Sequence, residues 1–369
     1  MKVLHILNQL NPSGAEVMLR AAAANWVSMG LDLHVLSTGS EVGPYAESLA
    51  SSGYRVHHIP FSKTFSFFKA VADLIRRERF DVVHIHAERA NFVYGIIARM
   101  AGVPKVVRTI HSVFPFRGNL RFQRMLQRAV MRAFGITQVS VGQNVQRVEK
   151  RHFLNRTRVI ANWYDSDHFR PPSISEREDA RSVLGISQEA RVITSVGNCS
   201  PVKNHPALIE ALAALKDERV CYLHVGREDE KASERALSQQ LQLDHKIRFL
   251  GYLKDPRRIL WASDVFVMPS LYEGVSIAAV EALATGLACV FTKVDGLKGI
   301  LPDDKAIFYS DNDPAALSQA IVQAVRYSEE GDTYRLTTSK KIKMKYSKER
   351  GALEYLALYQ DNASPGFGR

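Results

Sequence analysis

Short apolar runs alternate with helix-length amphipathic stretches along almost the whole 369-residue chain, and this alternation restricts the fold more than any other feature. Residues 3–7, 33–37, 54–59, 82–86, 106–111, 138–141 and 158–161 have the length and apolar character of buried strands. Residues 15–29, 65–79, 90–101 and 120–134 lie between them with helical periodicity. A strand, a helix and a further strand in succession imply right-handed crossovers and a parallel sheet.

The pattern then restarts. Arg170-Pro171-Pro172-Ser173-Ile174-Ser175 reads as a linker, because two prolines end regular structure. Beyond it, 192–196, 221–225, 247–250, 265–268 and 289–292 read as strands, with helices near 206–215, 232–241, 276–284 and 314–325. The expected architecture is α/β: two Rossmann-like domains, 1–170 and 171–345, with an interdomain cleft of the kind small molecules occupy. Residues 346–369 supply a last helix, near 348–359, and a tail.

Composition narrows the class. A hydrophobic fraction of 46% fills two cores, and no run of about eighteen apolar residues exists, so no membrane-spanning helix is expected. Cys199, Cys221 and Cys289 have no metal-ligand spacing and suit a reducing cytoplasm. The expectation is therefore no metal and no resident cofactor. The formal charge of +11 is unevenly placed. Residues 1–170 hold 23 Lys and Arg against 11 Asp and Glu, whereas the remainder holds 26 against 27. One half of the chain is thus built to meet an anionic partner. Nucleic acid is disfavoured as that partner, because aromatic residues do not interleave with the basic run as stacking platforms do.

The densest chemical signal is Pro269-Ser270-Leu271-Tyr272-Glu273-Gly274-Val275-Ser276-Ile277-Ala278-Ala279-Val280-Glu281-Ala282. A buried strand ends at Pro269 and a helix begins at Ser276. Glu273 therefore sits beside the first helical N–H groups, at the carboxyl end of a sheet strand, where open α/β folds bind ligands. A phosphate on those amides, with Glu273 accepting from sugar hydroxyls, fits the geometry. Glu281 lies roughly 10 Å along the helix at about 1.5 Å per residue, near a nucleoside's distance from its phosphates.

With Phe249-Leu250-Gly251-Tyr252 upstream and Thr285-Gly286 downstream, this segment resembles the Glu-x7-Glu element of the retaining glycosyltransferases of family 4, built on the GT-B fold. The resemblance runs through nearly the whole chain and implies a metal-independent transfer of sugar from a nucleotide diphosphate, UDP being the commoner carrier. It implies front-face attack, with the departing diphosphate oxygen helping to remove the acceptor proton, and a terminal helix that crosses back onto the N-terminal domain. Glu273 would hold the transferred sugar, Glu281 the ribose hydroxyls, and the amides of Gly274, Val275, Ser276 and Ile277 the phosphates. Val196-Gly197-Asn198-Cys199-Ser200-Pro201-Val202-Lys203-Asn204-His205 is similar to the family's phosphate loop, with Lys203 steadying the diphosphate. Asn198 stands where many members carry Arg, so a neutral donor replaces a cation there. Asn11-Pro12-Ser13-Gly14-Ala15-Glu16 is similar to the Gly-Gly-x-Glu loop, with Ser13 in place of the first glycine. His111 matches the cleft histidine that contacts the donor sugar. His84 and His86 share a strand face and read as packing, and so do Trp163 and Tyr164 at the domain junction.

From Arg89 to Arg147 no Asp or Glu occurs, while Arg and Lys occur ten times. Arg117, Arg121, Arg124, Arg128 and Arg132 recur at helical spacing, with Phe122, Met125, Leu126, Ala129, Val130 and Ala133 on another face. Such a helix either packs on the core with solvated arginines or lies on an anionic bilayer, each surface cation contributing about 1 kcal/mol. The sequence-level expectation is a cytoplasmic enzyme, peripheral at the inner face of the cell membrane. Its acceptor would be a glycan or lipid-linked molecule of bacterial cell-surface polysaccharide synthesis, held on the side of Ser13, Arg117, Arg121, Arg124 and Arg128. A soluble small-molecule acceptor and a nucleotide-sugar epimerase of the same fold are the alternatives.

Overall fold

The first half of the chain supplies β1 (Lys2–Leu7), α1 (Gly14–Ser28), β2 (Asp32–Ser37), α2 (Ala46–Ala50), β3 (Arg55–His58), α3 (Phe65–Glu78), β4 (Val82–Ile85), α4 (Asn91–Met100), β5 (Lys105–Ile110), α5 (Gly118–Ala133), β6 (Thr137–Ser140), α6 (Gln143–Phe153) and β7 (Arg158–Val159) in the computed structural model. The structure describes residues 1–113, 116–331 and 333–361. The seven strands form one sheet in the order β3-β2-β1-β4-β5-β6-β7, every pair parallel. β1 is central, with Val3 in register with Leu33 on one side and Val82 on the other. Hence both of its faces are covered, and Val3, Leu4, His5 and Ile6 are fully buried.

The second half supplies α7 (Ile174–Val183), β8 (Arg191–Val196), α8 (His205–Ala213), β9 (Val220–Val225), α9 (Ser233–Gln240), β10 (Ile247–Phe249), α10 (Arg257–Ala262), β11 (Val265–Met268), α11 (Ile277–Ala284), β12 (Ala288–Thr292), α12 (Asp295–Lys298), β13 (Ile307–Ser310), α13 (Pro314–Ser328) and α14 (Thr333–Tyr346), followed by α15 (Lys348–Gln360). Its sheet, again all parallel, runs β10-β9-β8-β11-β12-β13. The chain packs as two units, Met1–Asp165 with Ser347–Arg369, and Ser166–Tyr346. The linker is shorter than the prolines imply. Ser173 and Glu176 form a reciprocal capping box, each side chain bonded to the other's backbone N–H, so α7 is already under way at Ile174.

The α15 helix belongs to the first unit. Its Tyr355, Leu358 and Tyr359 are buried with Trp26 and Trp163 beneath α1. Trp26 Nε1 donates to Ala352 O at 3.1 Å and Trp163 Nε1 to Met18 O at 2.8 Å, so both indole N–H groups are satisfied inside the core. Trp163 and Tyr164 therefore pack, each about 1% exposed. The tail beyond residue 361 lies outside the described residues. Among the described residues no helix is long and apolar enough to cross a membrane.

Candidate active site

In an open parallel sheet, ligands collect where the strand order reverses, because the loops leaving the two central strands diverge there. In the second unit that point lies between β8 and β11, which pair through Val265 with Ile193 and Phe266 with Thr194. The loop after β8 carries Asn198 and Lys203 into α8. The loop after β11 carries Glu273 into α11.

Backbone and side chain tie these loops together. Leu271 N donates to Val202 O at 2.8 Å, and the Lys203 ammonium lies 2.6 Å from Glu273 Oε1. Ser270 Oγ donates to the same carboxylate oxygen at 2.8 Å, and Ser270 O accepts from Thr292 Oγ1. The Glu273 side chain is thus held between a cation and a buried hydroxyl, only 12% exposed. Gly296, in the first turn of α12, lies so close to the Glu273 and Gly274 carbonyls that any Cβ would overlap them. Ser276 caps α11, its Oγ accepting from Ala279 N, which leaves the first-turn amides of Ile277 and Ala278 outside the intrahelical ladder. Such amides, at the positive end of the helix dipole, attract an anion. One and a half turns on, Glu281 is 7% exposed among the apolar residues of α11.

The loop after β8 is also zipped to the end of β9. Gly197 N donates to Val225 O and Cys199 N to Arg227 O, both at 2.8 Å, while Asn198 Oδ1 accepts from Arg227 N at 2.9 Å. Gly226, at φ +156°, admits this approach because a Cβ there would meet Gly197 O. The exposed Arg227 guanidinium stands 5.5 Å from the centre of the Tyr252 ring. Arg227 is a candidate that the sequence reading missed: its backbone N–H holds the Asn198 side chain, and its guanidinium lies near Tyr252. Its signal was the glycine directly after β9, followed at once by an arginine.

In the first unit the strand order reverses between β1 and β4. Ser13 is the extended N-cap residue of α1, and its hydroxyl donates to the Glu16 carboxylate without accepting from a first-turn N–H. Burial raises the Glu16 pKa, with the Ser13 hydrogen bond opposing the shift. Gly14 is exposed as the first residue of α1. His111 follows β5 and joins a row of imidazoles, with His5 Nδ1 3.0 Å from His86 Nε2 and His86 Nδ1 2.9 Å from His111 Nε2. His84 bridges Tyr359 OH and Thr109 Oγ1, both at 2.7 Å. Loss of hydration depresses all four, His5 to about 3, His111 to about 4, and His84 and His86 well below the ordinary range. At neutral pH each ring therefore carries a single N–H, and the His5–His86–His111 row passes donor and acceptor roles outward to His111. His5, His84 and His86 are close enough to hold a metal ion, but both nitrogens of His84 are engaged by hydroxyls.

The basic helix needs a correction. Arg128 is 2% exposed, its Nε and Nη2 bonded to Glu149 of α6 at 2.7 and 2.9 Å and its guanidinium 4.2 Å from the Phe153 ring centre. It is an interior ion pair and takes no part in a solvent-facing basic row. The acid-free interval ends at Arg147, and the partner acid sits two residues later. Arg117 and Arg121 are exposed, whereas Arg124 is half-buried near Phe116. The apolar side is also not wholly packed, since Phe122 and Leu126 are 65% and 56% exposed.

Residues 12–194 match the family model "Glycosyltransferase Family 4", and residues 176–337 match "Glycosyl transferases group 1". The chain is 30% identical over 276 residues to the Escherichia coli UDP-Gal:alpha-D-GlcNAc-diphosphoundecaprenol alpha-1,3-galactosyltransferase, covering 69% of this chain and 70% of that one. The chain belongs to glycosyltransferase family 4. It is also 25% identical over 308 residues to the D-inositol 3-phosphate glycosyltransferase of Corynebacterium urealyticum, covering 76% and 71% of the two chains. Its fold is GT-B, two parallel-sheet Rossmann-like units. A glycosyltransferase from Rickettsia africae superposes with a TM-score of 0.85 at 19% identity over 99% of each chain. HepE of Anabaena, solved with UDP and glucose, gives 0.82 at 19% identity over 97% of this chain and 99% of its own.

Proposed function

We propose that this family 4 glycosyltransferase moves a hexose or N-acetylhexosamine, with retention of configuration, from a UDP-sugar to a lipid-linked glycan used in bacterial cell-surface polysaccharide synthesis. The observation that carries the reading is the Lys203–Glu273 pair, 2.6 Å apart at the β8/β11 reversal and beside the α11 N-terminus. A diphosphate there meets the Lys203 ammonium and the first-turn amides, and Arg227 adds the charge that Asn198 lacks. Lys203 moves from Glu273 to phosphate, which frees the carboxylate to accept from sugar hydroxyls. Glu281 accepts from the ribose. These groups stabilise the departing diphosphate without a divalent ion, and a diphosphate oxygen takes the acceptor proton. No protein nucleophile is required. The UDP and lipid-diphosphate chemistry is supported by the Escherichia coli relative, whose name states both, and by HepE, solved with UDP-glucose.

The acceptor is assigned to the first unit, whose α5 offers Phe122 and Leu126 to an acyl boundary and Arg117 and Arg121 to anionic headgroups. Incubation with UDP-sugars and a lipid-diphosphate-linked GlcNAc, without added Mg²⁺ or Mn²⁺, tests the proposal. The expected product is a longer lipid-linked glycan with an α-anomeric signal in its NMR spectrum. An epimerised nucleotide sugar formed without acceptor would overturn it.

A further inference from the structure

At the loop that carries Lys203, three segments bring a thiol and two imidazoles together. Cys199 lies in the loop after β8, His205 is the first residue of α8, and His224 is next to last in β9. One ligand atom from each lies within 4.8 Å of the other two, and all three residues are buried. We propose that Cys199, His205 and His224 form a structural zinc site, with Glu234 as the fourth ligand.

Geometry and hydrogen bonding agree on which atoms face the metal. Cys199 Sγ lies 3.4 Å from His224 Nε2. With Zn–S of about 2.3 Å and Zn–N of about 2.0 Å, tetrahedral coordination places sulfur and nitrogen about 3.5 Å apart. His224 Nδ1 lies 3.2 Å from both Ser195 Oγ and Tyr222 OH. Donation from Nδ1–H to these hydroxyls leaves the Nε2 lone pair turned toward the sulfur, the outer-shell arrangement that orients metal-bound histidines. Among the described residues, His205 Nδ1 is buried without a hydrogen-bond partner. Glu234 is 4% exposed, and among the described residues its Oε2 has no hydrogen-bond partner.

Charge separates this cluster from the three histidines of the first unit. A dication held by a thiolate, a carboxylate and two neutral imidazoles has no net charge, as a buried site requires. His5, His84 and His86 supply no anion. Binding forms one Zn–S bond in place of the Cys199 S–H bond, and that proton leaves to solvent. Four protein ligands leave no open position, so the ion would anchor the loop rather than react with substrate.

The test titrates Cd²⁺, and separately Co²⁺, into the reduced, metal-free, tag-free full chain. The expected result is a thiolate-to-metal charge-transfer band that saturates at one equivalent with release of one proton. The band is retained in Cys221→Ala and Cys289→Ala and lost in Cys199→Ser. Zn²⁺ should raise the melting temperature of the wild type and not that of Cys199→Ser, whose circular dichroism reports whether it is folded. If Cys199→Ser does not fold, loss of the band in Glu234→Gln together with weaker Zn²⁺ binding by His224→Gln supports the site. No band at stoichiometric metal, metal bound without a thiolate band, or a band that survives in Cys199→Ser overturns the proposal.

Discussion

Replacing Arg128 with methionine separates an interior ion pair from a membrane-facing arginine more sharply than any other single change. In the structure Arg128 makes two charge-assisted bonds to Glu149 and a third to Arg124 O at 3.2 Å, all within a 2%-exposed site. Methionine fills most of the volume but leaves Glu149, 3% exposed, with Asn155 Nδ2 at 2.7 Å as its remaining side-chain donor among the described residues. Breaking a buried pair from one side costs about 3–5 kcal/mol, because the surviving charge is stranded. For a unit of this size that is a fall of about 6–20 °C in melting temperature. Urea unfolding in a Trp261→Phe background reports the first unit alone, since Trp26 and Trp163 both lie in its core. Adding Glu149→Gln removes the stranded charge, keeps an acceptor for Asn155, and should restore most of the loss. Arg121→Met, at an exposed position, should change stability by less than about 0.5 kcal/mol while weakening binding to anionic vesicles. An Arg128→Met protein within 1 kcal/mol of wild type, or a double variant no better than the single one, would refute the reasoning.

Gly296→Ala forces a Cβ into the Glu273 and Gly274 carbonyls, so it should abolish nucleotide-sugar binding or unfold the second unit, and calorimetry with circular dichroism would detect either outcome. Lys203→Ala should lower kcat by about 100- to 1,000-fold, as loss of a positioned charge at a leaving group does, measured by UDP release at saturating donor. Acid should destabilise the first unit. His5, His84, His86 and His111 are held neutral when folded but take up protons near pH 6.5 when unfolded, so their contribution is intact above pH 6.5 and is lost as pH falls toward 4. Each adds a slope of up to about 1.4 kcal/mol per pH unit, and a urea midpoint that stays flat from pH 7 to 5 would contradict this.

The alternation of strand and helix was readable because parallel strands are covered on both faces, which leaves apolar runs such as Val265-Phe266-Val267-Met268 with no helical period. Elements whose apolar pattern is short or diluted were not visible. β13 contributes only Ile307–Ser310 at a sheet edge, and α14 (Thr333–Tyr346) is polar on most of its surface with Ile342 and Tyr346 buried. Within the site, the sequence marks Lys203 and Glu273 but not their contact, which depends on β8 and β11 becoming neighbours across 70 residues. Arg128 shows the reverse error. Helical spacing places it in the arginine row, but whether a residue in that row faces solvent is decided by what α6 sets against it, and there it is Glu149. Cys199, His205 and His224 escaped notice for a similar reason, since no local spacing records that β8, α8 and β9 converge.

The central claim is that the second unit binds a nucleotide sugar through Lys203 and Glu273. Calorimetric titration of UDP-, GDP- and ADP-sugars into the wild type, Lys203→Ala and Glu273→Gln tests it most directly. The account predicts one-to-one binding of a UDP-sugar by the wild type, weakened at least tenfold in both variants. Wild-type protein that binds no nucleotide sugar, or variants that bind as tightly as wild type, would contradict it.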